Sequence, residues 1–196
     1  MAHRQSNRQR NSWVVSLLDV QPTDRVLEIG FGPGLAIAEL SRRVGDSGHV
    51  NGIDRSEVML RQATRRNASA IAAGRVSLSR ASVDQLPPSL GGPFDAIFTV
   101  NSLGFWPAPT ERLDELRRRL RPSGHIAIAS QPRCPGAAAS TSRNAARETR
   151  RRWLHEDQDR DPRPGPSRGL HPRRQPGPRS RPQLASVRPR ILRLVQ

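Results

Sequence analysis

The chain has 196 residues, enough for one domain of ordinary size, yet only 34% of them are hydrophobic and the formal net charge is +16. A single cysteine, Cys134, excludes an intramolecular disulfide and fits a reducing compartment. No apolar run approaches the length of a membrane span and no basic leader opens into an apolar core, so the expectation is a cytoplasmic protein without membrane contact.

In chain order, Trp13, Val14, Leu17 and Leu18 share one helical face over residues 11–20, and Gln21-Pro22-Thr23-Asp24 ends that helix. Residues 25–29 read as a first strand. After a glycine-rich turn, residues 35–44 return to helical spacing, with Gly45 and Gly48 as stop signals. A second strand is expected over 49–54, and Ser56, Met59 and Leu60 open a helix running towards Ala73. Residues 76–80 alternate as a third strand, and Pro87-Pro88 with Gly91-Gly92-Pro93 makes a loop. Residues 96–100 are apolar apart from Thr99, as suits a buried parallel strand. A helix over 110–120 follows, with Leu113, Leu116 and Leu120 on one face and Thr110 as the candidate N-cap. Pro122-Ser123-Gly124 is read as a turn into a fifth strand over 125–130, followed by a helical stretch over 137–154. This alternation predicts right-handed crossovers and a mostly parallel sheet.

The last quarter differs. Between Arg150 and Gln196 stand 13 Arg and 8 Pro against four acids, with Trp153 as the one aromatic residue. Such a segment buries too little apolar surface to offset its ordering entropy. Proline recurs from Pro162 to Pro189 and blocks interior strands, leaving Ile191 to Val195 as the strand-capable run. The predicted organisation is a folded domain over 1–149 and a disordered Arg/Pro-rich tail over 150–196. Arg, Pro, Gly, Ala and Ser are also what GC-rich codons yield when misread, so the tail is further read as out-of-frame or divergent sequence.

Residues 26–34 carry most of the functional information: Val-Leu-Glu-Ile-Gly-Phe-Gly-Pro-Gly, a strand ending in glycines at every second position before a helix. A strand, a glycine turn and a helix present backbone N–H groups to a nucleotide-like ligand at the rim of an open α/β sheet. A dinucleotide fingerprint does not close, because its third position falls on Leu35 or Ile37. A phosphate-binding Walker loop is excluded because the chain has no Lys. Glu28 would repel a pyrophosphate and attract a cation. The sulfonium and ammonium of S-adenosylmethionine suit it chemically.

These residues resemble the class I S-adenosylmethionine-dependent methyltransferases, closest to small-molecule enzymes of the quinone-biosynthesis type. Three further stretches follow in that family's order: Gly52-Ile53-Asp54-Arg55-Ser56, Phe94-Asp95-Ala96-Ile97-Phe98 and Leu120-Arg121-Pro122-Ser123-Gly124-His125-Ile126. The resemblance implies a Rossmann-like three-layer α/β/α sandwich, here lacking the family's last two strands. It implies that Glu28, Gly30, Gly32 and Gly34 surround the methionine part of the cofactor and that Asp54 holds the ribose hydroxyls, its alternative role being a helix N-cap. Arg55 lies along the adenine or stands in solvent. Ser82, the Val83 backbone and Asp84 are candidates for the adenine amino group, with the acid two residues later than is usual. Asn101 is the candidate for cofactor or acceptor contact after the fourth strand, beside Ser102, while Phe105 and Trp106 line an apolar acceptor pocket or cover the core. Asp95 reads as structural.

No residue is assigned as a general base, and the five dispersed His show no metal-ligand spacing. The sequence thus predicts methyl transfer to a small-molecule acceptor. One rival is an inactive remnant with an incomplete sheet; a second is an RNA methyltransferase whose basic tail neutralises phosphates, although no recognised nucleic-acid module or interleaved aromatics support it. Oligomeric state is open.

Overall fold

Alternate residues of the central strands serve two separate cores, one on each face of a single sheet. The structure, a computed structural model, describes residues 2–129, 144–151, 153 and 190–193. Its elements are α1 (Ala2–Leu17), β1 (Arg25–Ile29), α2 (Leu35–Leu40), β2 (His49–Asp54), α3 (Glu57–Arg66), α4 (Ala68–Ala72), β3 (Val76–Arg80), β4 (Phe94–Val100), α5 (Pro109–Arg118), β5 (Leu120–Ala129) and β6 (Arg190–Arg193). A further helical segment covers 144–151. The sheet order is β3-β2-β1-β4-β5-β6, and every neighbouring pair is parallel.

Val26, Val50, Phe98 and Ala127 are buried in one core together with Val14, Leu18, Ile37, Leu40 and Ala63 of the first helices. Leu27, Ile53, Ile97 and Ile126 belong to the other, which Leu113 and Leu116 of α5 complete. Both faces are therefore covered, the three-layer arrangement that parallel sheets require. Trp153 lies beyond the expected boundary at 149, yet it is buried in this second core. Its indole N–H donates to Asp114 Oδ1 at 2.7 Å, and the Arg117 guanidinium stands 4.8 Å from its ring centroid.

The first three strands occupy the expected residues. Differences occur where tertiary contacts override local signals. The helix expected over 56–73 breaks at Asn67, whose buried side-chain amide donates to Ala63 O at 2.8 Å and Gly34 O at 3.3 Å. Side-chain bonds of this kind compete with the helix ladder. α2 is shorter than expected, because Ser41 closes it with turn bonds. Thr110 is not the cap of α5: Ala108 holds that position with φ 44° and Pro109 fills the first helical turn, where a missing N–H costs nothing. The Pro122-Ser123-Gly124 turn is absorbed into β5. Its register with β4 jumps from Phe94↔Leu120 to Ala96↔His125, a bulge against Asp95. β6 falls on the strand-capable run of the tail, parallel to β5. The rest of 154–196, and the stretch 130–143 with Cys134, lie outside the described residues.

Strand order reverses between β1 and β4, since β2 and β3 extend one way and β5 and β6 the other. Their carboxyl ends diverge into a crevice, the place where open α/β sheets hold ligands.

Candidate functional site

The turn after β1 is held by its own backbone. Gly30 N–H donates to Ile53 O at 2.8 Å, Phe31 N–H to the same oxygen at 3.3 Å, Gly32 N–H to Asp54 Oδ2 at 2.8 Å and Gly34 N–H to Phe31 O at 3.0 Å. Pro33 has no N–H, so every donor from Gly30 to Gly34 is spent within the protein. The expectation that this turn offers free N–H groups to a nucleotide is thereby corrected: no phosphate nest remains. Gly34 serves packing. It has φ 73°, and a Cβ there would stand 2.7 Å from Asn67 Nδ2 and 2.8 Å from Ala63 Cβ. It does not line the cavity, whereas Gly32 does, and a Cβ on Gly32 would meet no atom within 4 Å.

That cavity, of about 610 Å³, opens over the carboxyl ends of β1, β2 and β4. It falls within the size range of small-molecule sites. Three carboxylates border it, Glu28, Asp54 and the exposed Asp84. Asp54 is fixed by accepting Gly32 N–H on one oxygen and Ser56 N–H on the other at 2.9 Å. The helix N-cap is Ser56, whose hydroxyl accepts from Met59 N–H, so Asp54 is not the cap. Glu28 is 2% exposed, and its Oε2 has no hydrogen-bond partner. Burial first, and the nearby Asp54 second, push the Glu28 carboxyl well above its ordinary value. A buried acid left without a partner and facing a cavity is the reverse of what stability favours, and it attracts a cation.

Beyond β4 the chain turns at Asn101, in the left-handed conformation at φ 56°, with its N–H on Ala129 O at 2.7 Å. Ser102 donates to Ile29 O at 3.0 Å and receives the Trp106 indole N–H at 3.1 Å. Phe105 is 66% exposed at the rim, with the Arg55 guanidinium 5.8 Å from its ring centroid. Opposite, the Ser82 hydroxyl donates to Asp84 Oδ1, which lowers the pKa of this exposed carboxylate.

Of the residues expected from sequence, Glu28, Gly30, Gly32, Asp54, Arg55, Ser82, Val83 and Asn101 all border this one cavity; Gly34 alone stands apart. Asp95 is structural as expected, accepting Arg25 N–H at 2.8 Å and pairing with Arg121 at 3.0 Å. Sequence reasoning missed Asn11, which reaches the cavity from α1, and Phe31 and Met59 in its wall. Phe31 sits inside the glycine run and was open to notice; Asn11 carries no local signal. Among the described residues no group of His, Cys, Asp and Glu could hold a metal, and no helix is long and apolar enough to cross a membrane.

The cavity fits S-adenosylmethionine. An orphaned buried carboxyl suits its positive charges, Asp54 is presented by backbone donors at the end of β2, and open space lies where a Gly32 side chain would stand. Comparison with known proteins agrees. Residues 26–124 match the family model of the methyltransferase domain. An uncharacterized methyltransferase of Bacillus subtilis (strain 168), YdaC, is 32% identical over 142 residues, spanning 72% of this chain and 75% of that protein. Nocamycin O-methyltransferase of Saccharothrix syringae is 32% identical over 115 residues, which cover 59% of this chain and 40% of its own length. In fold, the crystal structure of an S-adenosylmethionine-dependent methyltransferase from Aquifex aeolicus superposes with a TM-score of 0.56 at 23% identity, covering 69% of this chain and 78% of the other. A match over half the chain, joined to a relative aligned along three quarters of its length, makes this protein a member of the methyltransferase domain family, a class I S-adenosylmethionine-dependent methyltransferase.

Proposed function

We propose that the acceptor is a small molecule held against the aromatic wall of Phe105 and Trp106, above the cavity that takes the cofactor. The observation that carries this reading is the exposed Phe105, next to the anchored Trp106, on the rim of a cavity of small-molecule size. Large exposed aromatic side chains at a cavity mouth are costly unless they meet a ligand. Nocamycin O-methyltransferase, by its name, methylates an oxygen of nocamycin, and its similarity to this chain is in keeping with a small-molecule acceptor.

When bound, S-adenosylmethionine supplies a methyl group already activated by a sulfonium. The protein's part is to bind, orient and exclude water. Glu28 and Asp54 supply negative charge at two separated points, Gly32 leaves room, and Val83 with Phe31 closes the apolar flank. No acid of the site is assigned as a general base. Burial raises the proton affinity of Glu28 in the cofactor-free protein, the cofactor's positive charge favours its ionised form when bound, and Asp84 is a weakened base because Ser82 stabilises its charged form. The reading is therefore transfer by proximity to an acceptor that is nucleophilic in its own right. On this reading the methyltransferase domain spans residues 1–149, with Trp153 packed on it from the tail, and works in the cytoplasm.

Labelled cofactor incubated with the protein and a mixture of metabolites and total RNA tests the reading. Label in the small-molecule fraction is the expected outcome. Label on RNA would move the function to the nucleic-acid rival, and a thermal midpoint unchanged by saturating cofactor would favour the inactive remnant.

A further inference from the structure

One hydroxyl lies between the two halves of the site. Ser102 Oγ has a single proton, which it donates to Ile29 O at 3.0 Å, on the last residue of β1 before the glycine turn. With that proton committed, Thr99 Oγ1 must donate to Ser102, and the Trp106 indole N–H donates to the same oxygen at 3.1 Å. The oxygen is saturated, which removes Ser102 from consideration as a base or nucleophile. Its packing is equally tight. A Cβ on Gly30 would stand 2.6 Å from Ser102 Cβ and 2.7 Å from its Oγ, so the serine lies directly against the turn.

Among the described residues Ser102 is the partner of the Trp106 indole N–H, and the indole is part-buried at the cavity wall. Any displacement of the β1 turn therefore reaches the indole through one atom. We propose that Ser102 is a positioning residue that couples the glycine turn to Trp106, so that cofactor occupancy of the turn is reported at the acceptor wall. This rests on the reading of Trp106 as part of that wall. Coupling of this kind is reciprocal: what orders the indole also favours the cofactor-ready turn.

The full chain labelled with 5-fluorotryptophan gives one fluorine resonance each for Trp13, Trp106 and Trp153, and Trp106→Phe assigns the second. Titration with S-adenosylmethionine is expected to shift the Trp106 resonance in the wild type. In Ser102→Ala the same resonance is expected to broaden and to lose its shift, while calorimetric affinity for the cofactor falls by no more than about tenfold, the scale of one lost hydrogen bond. Thr99→Val, which leaves the serine's bonds to Ile29 and Trp106 in place, is expected to retain the shift. The reciprocal arm guards against misfolding of the serine variant: Trp106→Phe should change the amide shifts of Gly30 and Phe31 in the free protein. A wild-type or Ser102→Ala indole that behaves alike during titration, or glycine-turn amides indifferent to Trp106→Phe, overturns the coupling and leaves methyl transfer standing. Absence of any calorimetric binding overturns both.

Discussion

The two ends of the sheet carry similar residues and treat them in opposite ways. At the amino end, Asp95 accepts the Arg25 N–H and the Arg121 guanidinium, Asp24 accepts Gln21 N–H, and charge is closed by charge. His125 is the exception there: its Nε2 has no partner, and burial, against the pull of Asp24, Asp19 and Asp95, lowers its affinity for a proton. At the carboxyl end, Glu28 is left with an orphaned oxygen and Phe105 is left in solvent. Satisfied groups make an architecture; groups left wanting mark where a ligand completes the molecule.

Four measurements break or sharpen that contrast. The scale is set by a residue at neither end: Trp153→Ala should cost about 3–5 kcal/mol by denaturant melting, as loss of a buried aromatic does, and a cost under about 1 kcal/mol would detach the helical segment over 144–151 from the core. Next, the two aspartates should separate. Asp54→Ala is expected to weaken cofactor binding by about 10- to 100-fold in calorimetry, the range for a hydrogen bond to a charged group. Asp95→Ala should instead lose about 1–3 kcal/mol of stability, through the stranded Arg25 N–H, and leave affinity unchanged; equal effects on both properties would erase the contrast.

Glu28 predicts a pH dependence with a definite sign. Its folded-state proton affinity is raised above the ordinary value of 4.5, chiefly by burial. The native state therefore binds more protons than the unfolded chain above that pH, and stability from this group is complete below it. It is lost as pH rises towards the folded-state value, with a slope of at most about 1.4 kcal/mol per pH unit. Glu28→Gln should flatten this loss in cofactor-free melts as pH rises above 4.5; an unchanged profile would show that the carboxyl is not a buried acid. The smallest effect belongs to Phe105→Ala. It forgoes an exposed cation–π contact worth about 0.5–1 kcal/mol and should leave melting and cofactor affinity nearly unchanged while raising acceptor KM.

Much of this was legible before any coordinates. β1, β2 and β3 show themselves because short apolar runs are bounded by Gly, Pro and Asp, and the site residues show themselves because each lies at or just past the carboxyl end of a strand. Asn67 could not be read as a helix break, since its side-chain amide is fixed between the Ala63 and Gly34 carbonyls, the second a contact 33 residues away in sequence. Gly34 could not be separated from Gly32 for the same reason: both look like turn glycines until α3 is placed against one of them. Asn11 and the saturated hydroxyl of Ser102 depend wholly on which elements become neighbours. Parallel pairing of β6 is likewise a tertiary outcome, as its strand follows a proline-rich stretch that gives no hint of register.

The bolting of Gly34 and Pro33 to α3, through Asn67 Nδ2 and through the Arg66 side chain on Pro33 O at 2.8 Å, has a kinetic meaning. A turn anchored at its Gly34 end needs no folding step there when its guest arrives, so adjustment on binding is confined to the Gly30 end that Ser102 meets. Exchange of the Gly34 amide with solvent deuterium should then be slow even in the empty protein, while that of Gly30 should slow when the cofactor binds.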